Sequence, residues 1–168
     1  PPSPEQIRKY ENNPSDEAYK KIVTELLESK HYGERWGRHW LDIARFGESD
    51  GFERNNPRNN LWPFRDWVIE AFNKDTPYDE FVRMQIAGDI IKPGTEGTSA
   101  VAFLAAGLHN TVVGGSEFMK KTARQDELEE ITGTVGQTFF GLTVNCARCH
   151  DHKYDPISQK EYYRLTSA

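Results

Sequence analysis

Residues 121–142 read KTARQDELEEITGTVGQTFFGL. Leu128, Ile131, Val135, Phe139 and Leu142 recur in this stretch at steps of three and four, the spacing that lines up side chains on one face of an α-helix. It is therefore expected to be a long core helix, with Asp126 to Glu130 as its solvated face. The helix delivers the chain to Cys146 within a few residues.

The same period recurs upstream. Ser3-Pro4-Glu5-Gln6 reads as a helix start, with a hydroxyl N-cap, proline at the first helical position and Gln6 at the third. After Asn13-Pro14, Ser15 caps a second helix whose Tyr19, Ile22, Val23, Leu26 and Leu27 share a face, and Gly33 is expected to end that unit. Glu34 to Arg45 predicts a third, carrying Trp36, Trp40, Ile43 and Ala44. Gly47 to Asn60 has no period and predicts a long loop, a candidate wall for a site. Pro63 opens a fourth helix bearing Phe64, Trp67, Val68, Ala71 and Phe72. Thr76-Pro77-Tyr78-Asp79 starts a fifth, with Tyr78, Phe81, Val82 and Ile86 inward and Met84 off the apolar face. Pro93-Gly94 breaks it, and a small-residue helix near Ser99 to Leu108 leads to the turn Gly114-Gly115-Ser116. Downstream, Ser158-Gln159-Lys160-Glu161 is a capping box that opens a last helix, with Tyr162, Tyr163 and Leu165 inward. No alternating strand run and no internal repeat is present, so the fold class is all-α: an irregular multi-helix domain with long loops.

A length of 168 residues suits one domain, and 36% hydrophobic with 28% charged residues is a globular balance. The net charge of −5, with both signs interleaved, leaves no basic stripe for a phosphate backbone, which argues against nucleic-acid binding. No apolar run approaches the roughly 20 residues of a membrane span. The last residues fall inside an apolar helical pattern, so residues 1–168 are expected to be a single domain excised from a longer multidomain protein.

Both cysteines of the chain lie within Cys146-Ala147-Arg148-Cys149-His150. This is the C-x-x-C-H pattern of c-type haem attachment. Two thiols three residues apart on a helical turn can add to the vinyl groups on one porphyrin edge, and the imidazole that follows comes under the iron. Cys146 and Cys149 are thus the expected covalent attachment points of one haem c, and His150 the proximal iron ligand. Two other readings use the same residues. A structural zinc could take Cys146, Cys149 and either His150 or His152, although closed zinc sites have four ligands. A thioredoxin-type C-x-x-C sits near a βαβ pattern, which the sequence lacks.

Phe140 to Ile157, containing Cys146-Ala147-Arg148-Cys149-His150-Asp151-His152-Lys153-Tyr154-Asp155-Pro156, resembles the planctomycete-type cytochrome c-like domain. So do Tyr32-Gly33-Glu34-Arg35-Trp36-Gly37-Arg38-His39-Trp40-Leu41-Asp42 and Trp62-Pro63-Phe64-Arg65-Asp66-Trp67-Val68, and the likeness covers nearly the whole chain. The resemblance implies a cytochrome c-like module of large periplasmic or secreted proteins, sometimes beside carbohydrate-related modules. Only 18 residues follow His150, so a sixth ligand is expected from upstream. Met119, beside the glycine-rich turn, and His39, in the family-like string, are the candidates; a gap-filling methionine and a structural histidine are their alternatives. His152 is read as structural, and Asp151, Lys153 and Asp155-Pro156 as fixing the turn after the motif. His31 and His109 are read as helix-end residues, and most of Trp36, Trp40, Trp62 and Trp67 as core.

These residues lead to a mono-haem module for one-electron transfer, more an electron carrier than a catalyst by itself. Its expected partners are a redox protein or neighbouring domains of the parent chain, and its expected location is extracytoplasmic. A haem-based catalytic or gas-binding module is the second class, with Glu48, Asp50, Glu53, Arg54 and Arg58 as polar groups of an open distal site. A structural zinc-binding or glycan-associated module is the third.

Overall fold

In the computed structural model, which describes residues 1–51, 55–110 and 113–168, eight α-helices follow one another: α1 (Pro4–Asn12), α2 (Asp16–Leu27), α3 (His31–Ile43), α4 (Trp62–Asn73), α5 (Tyr78–Ile91), α6 (Thr95–Val101), α7 (Glu117–Val135) and α8 (Gln159–Thr166). Among the described residues there is no strand, only a single backbone bridge from Ser49 to Pro57, so the fold is all-α. No described helix is long and apolar enough to cross a membrane.

The helix starts obey their capping chemistry. Ser3, Ser15, Ser116 and Ser158 each accept an N–H of the first turn on their side chains, and Ser3 with Gln6 and Ser158 with Glu161 form complete capping boxes. Gly33 departs from expectation, because it lies inside α3 and does not end a helix. A Cβ there would run into the Ile69 carbonyl and Asn73 of α4, so this glycine allows close helix contact. Asn73 Oδ1 accepts the Gly33 N–H at 2.8 Å across that contact.

The main core joins Phe64, Trp67, Val68 and Ala71 of α4 to Phe81 and Met84 of α5, with Ala100, Phe103 and Ala106 below. Met84 is thus a core residue, contrary to the sequence expectation, while Tyr78 and Ile86 are exposed. The buried face of α5 is Phe81, Met84, Gln85 and Gly88. Gln85 is fully buried because its amide is answered on both ends: its Oε1 accepts Trp40 Nε1–H at 2.6 Å and its Nε2 donates to the Phe81 carbonyl at 3.1 Å. A polar letter hid an inward position. The apolar stripe of α2 is likewise not a core face, since none of its residues is buried. Trp36 and Trp62 are half-exposed, so of the four tryptophans only Trp40 and Trp67 join the core.

The long helix predicted from residue 121 begins at Glu117 and, after Val135, widens into a π-turn over Gly136–Phe140. Gly141, at φ +66°, closes it in the left-handed region that glycine adopts without strain. Val135 and Phe139 pack on the main core. Of the three residues predicted inward on α8, Tyr162 alone is buried. It seals a second small core with Val144 and Ala147, flanked by Leu142 and Ile157.

The Tyr162 phenol oxygen is buried without a well-formed hydrogen bond among the described residues; burial pushes its pKa up, and the neighbouring Thr166 hydroxyl offsets only part of that rise. An unanswered buried hydroxyl costs about 1–3 kcal/mol. Tyr162→Phe is therefore expected to raise the unfolding free energy by about 1 kcal/mol in urea denaturation. A loss of similar size would show that the hydroxyl has a partner.

Candidate functional site

Val144–Arg148 forms a 3-10 turn. With three residues per turn, side chains at i and i+3 lie one above the other, so the segment has three edges. Val144 and Ala147 make the buried edge, set into the small core under Tyr162. Asn145 and Arg148 make the edge toward α7, where Asn145 packs on Gly133 and Arg148 pairs with Asp126 at 2.8 Å and with Glu129. Cys146 and Cys149 make the outward edge, both exposed and both free thiols. The α7 edge is tied down by charge, since the two carboxylates hold the Arg148 guanidinium still further above its already high pKa. From α8, Gln159 Nε2 and the Tyr163 hydroxyl donate to the Arg148 carbonyl at 2.9 and 3.3 Å.

His150 follows on the exposed side. Its Nδ1 lies 2.7 Å from the Asp151 carbonyl oxygen, and a carbonyl can only accept, so Nδ1 carries the proton. In the neutral ring, Nε2 then holds the lone pair. His152 is built the other way round. Its Nδ1 accepts the N–H groups of Asp155 at 2.7 Å and Tyr154 at 3.2 Å, which puts its proton on Nε2, 2.8 Å from Thr143 Oγ1. With both nitrogens engaged and its side chain largely buried, His152 is a structural residue of the turn, as read from the sequence. Asp151 Oδ1 accepts the Gln159 N–H at 2.7 Å and so helps to cap α8.

The two upstream candidates sit differently. Met119 lies in the first turn of α7 with its thioether against Gly114, half-exposed beside the more exposed Phe118. Seven residues separate it from Asp126, which is two helical turns, so both leave α7 on nearly the same face about 10 Å apart. A shallow groove of about 210 Å³ runs between them, lined by Phe118, Thr122 and Ala123. His39 is exposed on α3, its ring against Trp36 and its Nε2 accepting from Arg35 Nη1 at 3.1 Å. Its ring nitrogen is engaged within its own helix.

The acidic run of α7 is solvated only at Asp126; Glu127, Glu129 and Glu130 are part-buried, and all four are paired. Asp126 and Glu129 hold Arg148, Glu127 holds His109 and Arg124, and Glu130 holds Arg45. This was missed because helical spacing cannot reveal a cation that arrives from another segment. His109 accordingly contacts Glu127 through Nδ1 rather than capping a helix, whereas His31 Nδ1 meets Glu34 in the first turn of α3. Of the loop residues assigned to an open distal site, Glu48 pairs with Arg65 of α4, and Asp50 pairs with Arg58. Arg58 also donates to the Ala105 and Gly107 carbonyls, on a different side of α7 from the motif. Glu53 and Arg54 lie outside the described residues. No group of three or more His, Cys, Asp or Glu among the described residues is arranged to hold a metal ion, so the zinc reading gains no further ligand.

No curated protein and no solved structure matches the chain. One family model does, over residues 1–168, under the description "Protein of unknown function (DUF1549)". With its whole length matched, the chain belongs to that family, PSCyt2.

Proposed function

We propose that this chain is a mono-haem c-type cytochrome domain that transfers single electrons within, or to, a larger extracytoplasmic protein. The observation that carries the reading is the outward edge of the 3-10 turn, where two free thiols stand in line and the next residue presents an imidazole whose Nε2 holds the lone pair. The donor set fits haem c: Cys146 and Cys149 would hold the porphyrin edge and His150 the iron. When bound, the group supplies a one-electron iron couple whose potential its axial ligands and surroundings set. The protein's part is to keep the motif still. Arg148, anchored to Asp126 and Glu129, and Ala147, sunk under Tyr162, fix the edge from which the cysteines project. The Asp151 carbonyl fixes the tautomer of His150.

Met119 is the better distal candidate, because it shares a groove and a helix face with the carboxylate that anchors the motif, whereas His39 is engaged by Arg35. Covalent haem attachment is completed outside the cytoplasm, so this reading calls for a periplasmic or secreted parent protein. Its partners would be a redox protein or adjoining domains.

The test is protein matured with a haem-attachment system, read by its absorption spectrum and by the alkaline pyridine spectrum of the denatured, reduced sample. A haem c spectrum that survives denaturation is expected; its absence from correctly matured protein would overturn the reading and turn attention to zinc analysis. In the haem-loaded protein, Met119→Ala is expected to lower the midpoint potential and to admit carbon monoxide, and His39→Ala to do neither. The opposite pattern would assign the sixth position to His39.

A further inference from the structure

The 144–148 turn lies along one face of α7 and runs the opposite way. Its contacts step down the helix: Val144 packs on Gly136, Asn145 on Gly133, and Arg148 reaches Glu129 and Asp126. Residues 136, 133, 129 and 126 are three or four apart, so they form a single stripe on the helix. Glycine at 133 and 136 lets the turn lie close on the C-terminal half of that stripe. Toward the helix start the same stripe continues through Thr122 to Met119 and Phe118, eight residues or about 12 Å beyond Asp126. This half is bare: Phe118 is 79% exposed, Met119 51%, and Thr122 is exposed as well.

The bare half is well ordered and largely apolar. Ser116 Oγ accepts the Met119 N–H at 3.2 Å and fixes the first turn, and Thr122 Oγ1 donates to the Phe118 carbonyl at 3.0 Å, so its hydroxyl is satisfied within the helix. Phe118 then offers an aromatic ring beside the small side chains of Thr122 and Ala123, in the groove that Asp126 borders. Asp126 is also where the motif arrives, through Arg148 at 2.8 Å. Going from Val144 to Arg148 the chain moves from Gly136 to Asp126, so the outward edge of Cys146 and Cys149, with His150 after it, ends at the border of this groove. A ring held at that edge has the uncovered half of the stripe as its neighbour. We propose that Phe118, Thr122 and Ala123 form the wall that covers the porphyrin face turned away from His150, an assignment that rests on the haem reading and adds to it the surface against which the ring packs. Phe118 supplies the aromatic contact, and Thr122 and Ala123 are small enough to let the ring approach the helix.

The test compares the haem-loaded chain with the unloaded chain by NMR. Nuclei close to a haem are shifted by its ring current and, in paramagnetic states, by its iron. The Ala123 methyl and the Phe118 ring are therefore expected to shift far more than the methyls of Ala100 and Ala106 in the main core. Phe118 is mostly exposed, so Phe118→Ala should leave the fold intact and the covalent haem in the alkaline pyridine spectrum unchanged. It is expected to tighten the binding of added imidazole to the iron about twofold to tenfold, because the incoming ligand no longer has an aromatic contact to displace. Phe118→Tyr keeps the ring and should stay near wild type. Covalent haem with Ala123 and Phe118 unshifted, or with imidazole binding unchanged in Phe118→Ala, would overturn the wall, leave the haem reading standing and free the groove for a partner protein. No covalent haem in the wild-type chain would overturn both.

Discussion

In the Cys146→Ala/Cys149→Ala variant, matured beside the wild-type chain, covalent haem is expected to vanish completely while the fold survives. Both side chains are exposed, and surface substitutions away from special features change stability by no more than about 0.5 kcal/mol. The small core beneath them consists of Val144, Ala147 and Tyr162, which the variant does not touch. Loss of haem with unchanged urea denaturation therefore isolates the thiol chemistry from folding. Haem that stays attached in the double variant would show that the thiols are not its anchors. The single variants should each retain one linkage, and a residual denaturation-resistant spectrum in either is the expected intermediate case.

Gly97→Ala is expected to cost roughly 3 kcal/mol of stability, by overpacking the contact between α5 and α6. A Cβ at residue 97 would come closer than 3.0 Å to the Gly88 and Lys92 carbonyl oxygens, and these are backbone atoms that no rotamer change can move aside. Alanine's higher helix propensity returns about 1 kcal/mol at most, less than the strain. Gly88 faces the same contact, with Gly97 and Ala100 opposite, so the two helices meet backbone to backbone. Gly115→Ala is the control, since nothing lies within 4 Å of its added Cβ, and urea midpoints should separate the pair clearly. A change below 0.5 kcal/mol for Gly97→Ala would show that α5 and α6 can part at little cost.

The legibility of the fold in the sequence differed by element for physical reasons. Capping is local, so Ser3, Ser15 and Ser158 announced their helices within one turn. The inward face of α5 was misread because Gln85 is polar and yet buried through Trp40, which lies 45 residues earlier. Gly33 was read as a terminator because a sequence does not show what crosses a glycine, and here it is α4. At the candidate site, the two cysteines and His150 were legible as a motif, and His152 as structural. The anchoring role of Arg148 was not, since its two carboxylates approach from α7, 19 and 22 residues upstream.

By itself the sequence determined the all-α class, most helix starts and the C-x-x-C-H string, all of which depend on short-range periodicity, capping or residue identity. The face of α4 was legible too, but the tertiary structure alone decided the inward face of α5 and which edge of the 144–148 turn is outward. It also decided that the acidic run of α7 is divided between Arg148 on one side and His109 on another. Burial and ion pairing depend on which distant segment arrives at a surface, and a one-dimensional pattern carries a residue's spacing but not its neighbour across the fold.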